Sequence, residues 1–104
     1  MEKAFGEYAL LFKVLSDETR LKIFSLLSND ERCACNILEE VNISQPTLSY
    51  HMKMLTDCGL VEGRKDGQWM RYTMNESRVK QLEQFLGELT PLPGKKKTDK
   101  GKAC

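Results

Sequence analysis

The stretch "ERCACNIL", residues 31–38, sets Cys33 and Cys35 one residue apart, and two thiols at that spacing are the groups best suited to chemistry in the chain. Thiolates are soft donors that hold thiophilic metal and metalloid ions, and they also oxidise to disulfides. The N-terminal segment "MEKAFGEYALLFK" is interrupted by Glu7 and Lys13 and lacks a small-residue cleavage pattern, so no signal peptide is expected. Apolar stretches such as "YALLF" are far too short to cross a bilayer, so no membrane partner is expected either. The expected location is therefore the cytoplasm, where thiols stay reduced, and four cysteines there favour metal or redox chemistry over a disulfide framework. On a regular helix, residues two apart point about 200° from each other around the axis. One atom held by both Cys33 and Cys35 would then bend or unwind the helix start, which makes such a site a switch as well as a trap. Of the other two thiols, Cys58 continues an apolar stripe three residues after Leu55 and reads as a buried structural residue. Cys104 ends a segment of about a dozen residues whose span of ~18–20 Å lets it approach a site elsewhere.

The elements that must position these thiols follow from apolar spacing. At 104 residues the chain suits one domain, expected over residues 1–92, with a disordered lysine-rich tail over 93–104 that has glycine and proline but no apolar periodicity. Residues 3–15 repeat apolar side chains at helical spacing, Phe5, Ala9 and Phe12 on one line and Tyr8, Leu11 and Leu15 on another. That arc exceeds the roughly 100° of a single buried face, so this helix is either fully buried or covers a second surface. Ser16 offers an N-cap to a second helix running to about Leu27, with Leu21, Ile23, Phe24 and Leu27 supplying core. A short third helix runs from about Cys35 to Val41, and the "VNIS" connection leads to a fourth, capped by Ser44 with Pro46 in its first turn. In that fourth helix Leu48, Met52 and Leu55 form one buried stripe, whereas Gln45, Thr47, Ser49, Tyr50, His51 and Lys53 make an exposed face of hydrogen-bonding groups. Asp66-Gly67 between two segments rich in β formers predicts a two-residue hairpin turn, with Arg64, Lys65 and Arg71 at its tip and flanks. A last helix over about Ser77 to Leu89 repeats Val79, Leu82, Leu86 and Leu89 in a coiled-coil-like seam with Phe85 beside it, and its pairing with the wide-faced first helix predicts a homodimer.

A short helix, a tight turn, a polar-faced helix and a basic hairpin, in that order, are a winged helix-turn-helix: a mainly α (α+β) fold of about five helices and a two-stranded β-hairpin wing. Its fourth helix is the right width for a major groove, and the hairpin cations suit flanking phosphates. A net charge of +1 neither announces nor excludes a nucleic-acid partner, so the expectation rests on where the cations stand. Gln45, Thr47, Ser49 and Tyr50 are the expected groove or adjacent backbone contacts, with His51 and Lys53 beside them, and Arg64, Lys65 and Arg71 the phosphate contacts.

"LSDETRLKIFSLL", "ERCACNIL", "ISQPTLSYHMKMLTDCGLV" and "GRKDGQWMRYTMN" occur in that order over roughly residues 10–75. This series resembles the ArsR/SmtB family of metal-responsive winged-helix repressors. The resemblance implies a homodimer on a partly palindromic operator in double-stranded DNA, its two recognition helices ~34 Å apart along the duplex. It implies no cofactor for DNA binding and release when a metal or metalloid binds. Cys33 and Cys35 match the CxC motif of the branch that responds to trivalent arsenic and antimony, which makes As(III) or Sb(III) the implied inducer. The best-defined version of that motif has a third cysteine three positions after the second, where this chain has Leu38. The coordination set is therefore either the two thiolates alone or these with a third from Cys58, Cys104 or a small cytosolic thiol.

Rival signals follow from the same residues. The branch that binds zinc through histidine and carboxylate ligands on the terminal dimer helix does not fit, because "SRVKQLEQFLGELT" contains no histidine. Cadmium or lead held by Cys33 and Cys35, or oxidation of the two thiols, would serve the same DNA-binding repressor with a different signal. A small thiol enzyme such as an arsenate reductase is the reading from another class. It lacks a phosphate-cradling loop, and the only histidine falls on the expected recognition helix.

Overall fold

The computed structural model describes residues 4–91, so the tail over 93–104 and Cys104 lie outside the described residues. The elements run α1 (Phe5–Leu15), α2 (Glu18–Leu26), β1 (Arg32–Cys33), α3 (Ala34–Val41), α4 (Gln45–Asp57), β2 (Val61–Asp66), β3 (Trp69–Met74) and α5 (Glu76–Glu88). The five helices and the hairpin match the winged helix-turn-helix expected from the sequence, with one addition. The sheet has three strands in the order β1-β3-β2, all antiparallel, because Arg32 and Cys33 pair with Tyr72 and Arg71 along the free edge of the hairpin.

Short-range polar contacts fix the helix boundaries. Asp17, not Ser16, caps α2: its Oδ2 accepts the Arg20 N–H at 3.0 Å. Ser16 is already engaged on the preceding helix, where its hydroxyl donates to the Lys13 carbonyl at 2.7 Å. Helix α3 starts one residue earlier than expected and ends at Asn42, which takes the left-handed conformation (φ 52°, ψ 54°) and donates its N–H to the Leu38 carbonyl. Ser44 caps α4 as expected, with its Oγ accepting the Thr47 N–H. Gly59 (φ +86°) closes α4, and Asn75 ties the start of α5 to this corner by donating its side-chain amide to the Gly59 carbonyl. The hairpin turn is Gly67-Gln68 rather than Asp66-Gly67: Asp66 stays in the ladder opposite Trp69, and only Gly67 has a positive φ, as a glycine-first two-residue turn requires.

Leu11, Ile23, Ile37, Leu55, Leu60 and Val61 are the largest fully buried side chains, and they come from α1, α2, α3, α4, the connection after α4 and β2. Every layer thus meets at one core. Leu21 departs from the expected pattern, being 50 % exposed. The buried line of α2 is instead Arg20, Ile23 and Leu27, spaced i, i+3 and i+7. Helix α5 docks on α1 through Phe85, whose ring stacks on Tyr8 (centroids 4.2 Å apart, planes 6° apart) and meets Phe5 and Phe12 at 6.2 and 6.4 Å. Phe5, Leu10, Phe12, Leu86 and Leu89 nonetheless remain substantially exposed, so α1 is not the fully buried helix that was one of the two expectations, and its arc leaves an apolar face open beside the core.

The wing depends on one close approach. A Cβ placed on Gly63 would lie 2.9 Å from Tyr72 Cε1 and 3.1 Å from Met70 Cε, inside van der Waals contact. Gly63→Ala is therefore expected to destabilise the domain by about 1–3 kcal/mol as the Tyr72 ring is pushed aside. Urea unfolding of the variant checks this, and an unchanged midpoint would show that the ring yields freely.

Candidate functional site

Cys33 plays two local roles. It ends β1, and with extended dihedrals (φ −78°, ψ 150°) it is also the N-cap of α3, its sulfur accepting the Cys35 N–H at 3.3 Å. This is the bond a serine or aspartate oxygen ordinarily makes at an N-cap, supplied here by sulfur. Because Cys33 precedes the helix, its side chain swings back over the first turn, and the structure pairs the Cys33 and Cys35 sulfurs directly, with Cα atoms 5.3 Å apart. The expected 200° divergence assumed both residues on one helix and does not hold. The sulfurs converge while α3 stays regular.

The start of α3 suits negatively charged sulfur, since unpaired N–H groups and the helix dipole place partial positive charge there. Cys33 is buried and Cys35 half-buried, so a captured atom would be partly shielded from water. Leu38, one turn beyond Cys35, presents no donor. Cys58 is in the core, its thiol donating to the Leu55 carbonyl at 3.4 Å. Among the described residues, no group of three or more His, Cys, Asp or Glu side chains gathers to hold a metal ion.

On α4, Gln45, Thr47, Ser49, Tyr50 and Lys53 lie on the exposed face. Ser44 Oγ donates to Thr47 Oγ1 at 2.9 Å, and Lys53 pairs with Asp57 at 3.1 Å. His51 is the exception and corrects the sequence reading: it is 8 % exposed and its Nδ1 faces Arg20 Nη1 at 3.1 Å. A ring held there cannot reach a base edge. The signal was in the spacing, since His51 lies three residues after Leu48 and four before Leu55. Apolar spacing carries no sign of Arg20, its partner, because a cation is buried only where acceptors meet it.

Register decides how the wing cations stand. Arg64 of β2 lies opposite Arg71 of β3, which in turn lies opposite Cys33 of β1. Directly opposed residues share a sheet face, so the two arginines and Cys33 form one row across the sheet. Each guanidinium has its own carboxylate. Arg64 makes two 3.2 Å bonds to Glu31, and Arg71 Nε donates to Asp66 Oδ2 at 2.6 Å. The hydrogen bond from Arg71 holds the Asp66 carboxyl below its ordinary range, and the same contact raises Arg71. Lys65, on the exposed tip half of β2, falls on the other face of the sheet. The loop before the thiols thus grips the wing through Glu31, and Cys33 shares a backbone ladder with it.

Comparison with known proteins places this arrangement. Residues 17–63 match the family model described as "Bacterial regulatory protein, arsR family". The arsenical resistance operon repressor of Staphylococcus xylosus is 42% identical over 101 residues, covering 97% of this chain and 91% of that protein. The repressor of the same description from Staphylococcus aureus is 46% identical over 83 residues, 80% of each chain. Among solved structures, the homodimeric winged helix-turn-helix DNA-binding domain Mb0332 from Mycobacterium bovis, a possible ArsR-family regulator, superposes with a TM-score of 0.68 at 27% identity, covering 82% of this chain and 79% of that one.

Proposed function

The chain belongs to the arsR family of bacterial regulatory proteins, and from that premise we propose that it is a homodimeric repressor of arsenic-resistance genes, released from its operator when As(III) or Sb(III) is captured by Cys33 and Cys35. The observation that carries this reading is the meeting of the two sulfurs at the start of α3, in the element that leads directly into the polar-faced α4. Trivalent arsenic bonds to thiolates, and two on one turn of chain provide a chelate. A third thiolate would come from Cys104 or a small cellular thiol. The relatives' names as arsenical resistance operon repressors support the same inducer class.

In this reading Gln45, Thr47, Ser49 and Tyr50 meet base edges or the adjoining backbone, with Lys53 at the margin, and Arg64, Lys65 and Arg71 grip phosphates. On DNA a phosphate takes the place of Glu31 at Arg64, one charge-assisted pair exchanged for another. The exposed apolar face of α1 and α5 is the dimer surface. Arg64→Ala is expected to weaken binding to every duplex and to lower the slope of log affinity against log salt by about 1, whereas Ser49→Ala shifts preference among operator variants. Fluorescence anisotropy over a salt series separates the two. Equal loss on all sequences from both changes would overturn the division of labour.

The test of the signal is titration of the operator complex with arsenite, cadmium and peroxide. Release by arsenite at lower concentration than by cadmium supports the proposal. The direct pairing of the two sulfurs favours oxidation as a second signal, and release by peroxide alone would make it the first.

A further inference from the structure

One buried side chain serves none of the roles above. Arg20 of α2 and His51 of α4 are each more than nine-tenths buried, at 9 % and 8 % exposure. Arg20 Nε donates to the Val14 carbonyl, in the last turn of α1, at 2.7 Å, and Arg20 Nη1 donates to His51 Nδ1 at 3.1 Å. A guanidinium has no acceptor to offer, so the direction of the second bond is set by chemistry. The main chain of Arg20 is pinned as well, because its N–H is the one that the Asp17 cap receives at 3.0 Å. One side chain of α2 thus bonds both the end of α1 and the middle of α4.

We propose that Arg20 is a positioning residue, a strut seated on His51 that fixes the angle between α1 and α4 so that both recognition helices of a dimer meet their half-sites at once. The inference rests on the proposed reading, in which α1 belongs to the dimer surface and α4 enters the groove. Helix α2 packs against both α1 and α4. The core they share is apolar, with Val14, Ile23, Leu48 and Met52 among its members. Apolar packing is non-directional, and helices held by it alone can rock against one another. A planar guanidinium bonded through two nitrogens resists that motion, because rocking would orphan an acceptor in a buried site. The angle matters because α1 stands at the dimer axis and α4 at the DNA. An error of about 5°, carried over half of the ~34 Å between recognition helices, displaces each α4 by about 1.5 Å. That is roughly three times the 0.5 Å range over which hydrogen bonds to base edges hold. One helix can still settle into its half-site, but the second is then out of place.

The test compares the unchanged dimer with His51→Asn and His51→Leu. The two substitutions bring side chains of the same size and branching, and only the asparagine amide oxygen accepts from Arg20. A duplex selected by the unchanged dimer from a random library, and the same duplex with one half scrambled, serve as probes. The unchanged protein and His51→Asn are expected to prefer the intact duplex by factors that agree within about threefold. In His51→Leu that factor is expected to fall about tenfold while affinity for the half-scrambled duplex stays within about threefold, as lost simultaneous engagement requires. Arg20→Lys, whose compact ammonium lacks the planar fork, is expected to repeat the loss and replaces His51→Leu should that variant not fold. The same factor in all the proteins, equal losses on both duplexes, or equal losses in His51→Asn and His51→Leu overturn the strut. Absence of any preference for the intact duplex in the unchanged protein would defeat the reading of α4 and the dimer instead, and residual dipolar couplings of the free protein then decide the strut separately. Amide couplings over Phe5–Leu15 and Gln45–Asp57 report the angle between α1 and α4. That angle is expected to be kept in His51→Asn and to change or average out in His51→Leu, and one unchanged angle in all the proteins overturns the strut.

Discussion

Cys33→Ser is expected to keep operator affinity within about threefold and to abolish release by arsenite. Both halves follow from the dual role of the residue. As N-cap of α3, Cys33 accepts the Cys35 N–H through sulfur, and a serine oxygen makes the same bond at least as well. The approach to α4 therefore keeps its geometry and the reader of the operator is undisturbed. As a ligand, however, a hydroxyl is no substitute for a thiolate, and one remaining sulfur offers no chelate. Antagonism between inducer and DNA typically amounts to about 1–3 kcal/mol, or 5–150-fold in affinity, and this whole factor should vanish. Cys35→Ser should abolish release in the same way without touching the cap, whereas Cys58→Ser, altering a core thiol, should leave release intact and lower stability. Anisotropy of a labelled operator complex titrated with arsenite reads all three. Persistence of release in Cys33→Ser at unchanged arsenite concentration would defeat the assignment of the site.

Phe85→Ala is expected to cost about 3–5 kcal/mol of stability, the range for truncating a buried aromatic. Phe85 is the one ring of α5 that contacts three rings of α1, and its stack on Tyr8 is nearly parallel at 4.2 Å. Removing it takes away the anchor that docks α5, and with it half of the apolar face on which dimerisation is proposed. For a domain with the usual 5–15 kcal/mol of stability this is a large share. The melting midpoint should fall sharply and the dimer should dissociate at higher protein concentration than the unchanged protein. Leu89→Ser provides the contrast: with Leu89 60 % exposed, the folded subunit should hardly notice, and only association should weaken. Calorimetry with sedimentation velocity separates the two effects. Equal melting points for Phe85→Ala and the unchanged protein would mean that α5 is held by something other than this cluster.

The helices and the hairpin were legible because each is announced locally. Ser44 and Pro46 mark the start of α4, and the glycine after Asp66 marks the turn. The features that escaped reading depend on contacts far apart in the chain. Strand β1 has only two residues, too few for an alternating pattern, and exists because the outer edge of β3 is available to pair with it. The turn shifted by one residue because Asp66 is kept in the ladder, where Arg71 holds its carboxylate. Arg20 rather than Leu21 takes the buried position because a guanidinium finds two acceptors there, the Val14 carbonyl and His51, which a leucine would leave unmatched. His51 moved from the expected exposed face to the buried one for the same reason. At the candidate site the CxC spacing was legible, but not its geometry, since only the structure shows Cys33 standing before the helix rather than within it.

The three-stranded sheet gives the hairpin the mechanics of a lever. Strands β2 and β3 are each six residues long, which at roughly 3.3 Å per residue makes an arm of about 20 Å. Its fulcrum is the pairing of Arg32 and Cys33 with Tyr72 and Arg71, midway along β3. A tilt of about 5° about this fulcrum, three residues or about 10 Å from the turn, carries the tip through roughly 1 Å, enough to stretch a charge-assisted hydrogen bond beyond its range. A rearrangement of the Cys33 sulfur is thereby passed to the tip of the hairpin, and in the proposed reading α4 need not be displaced for the grip on a duplex to slacken.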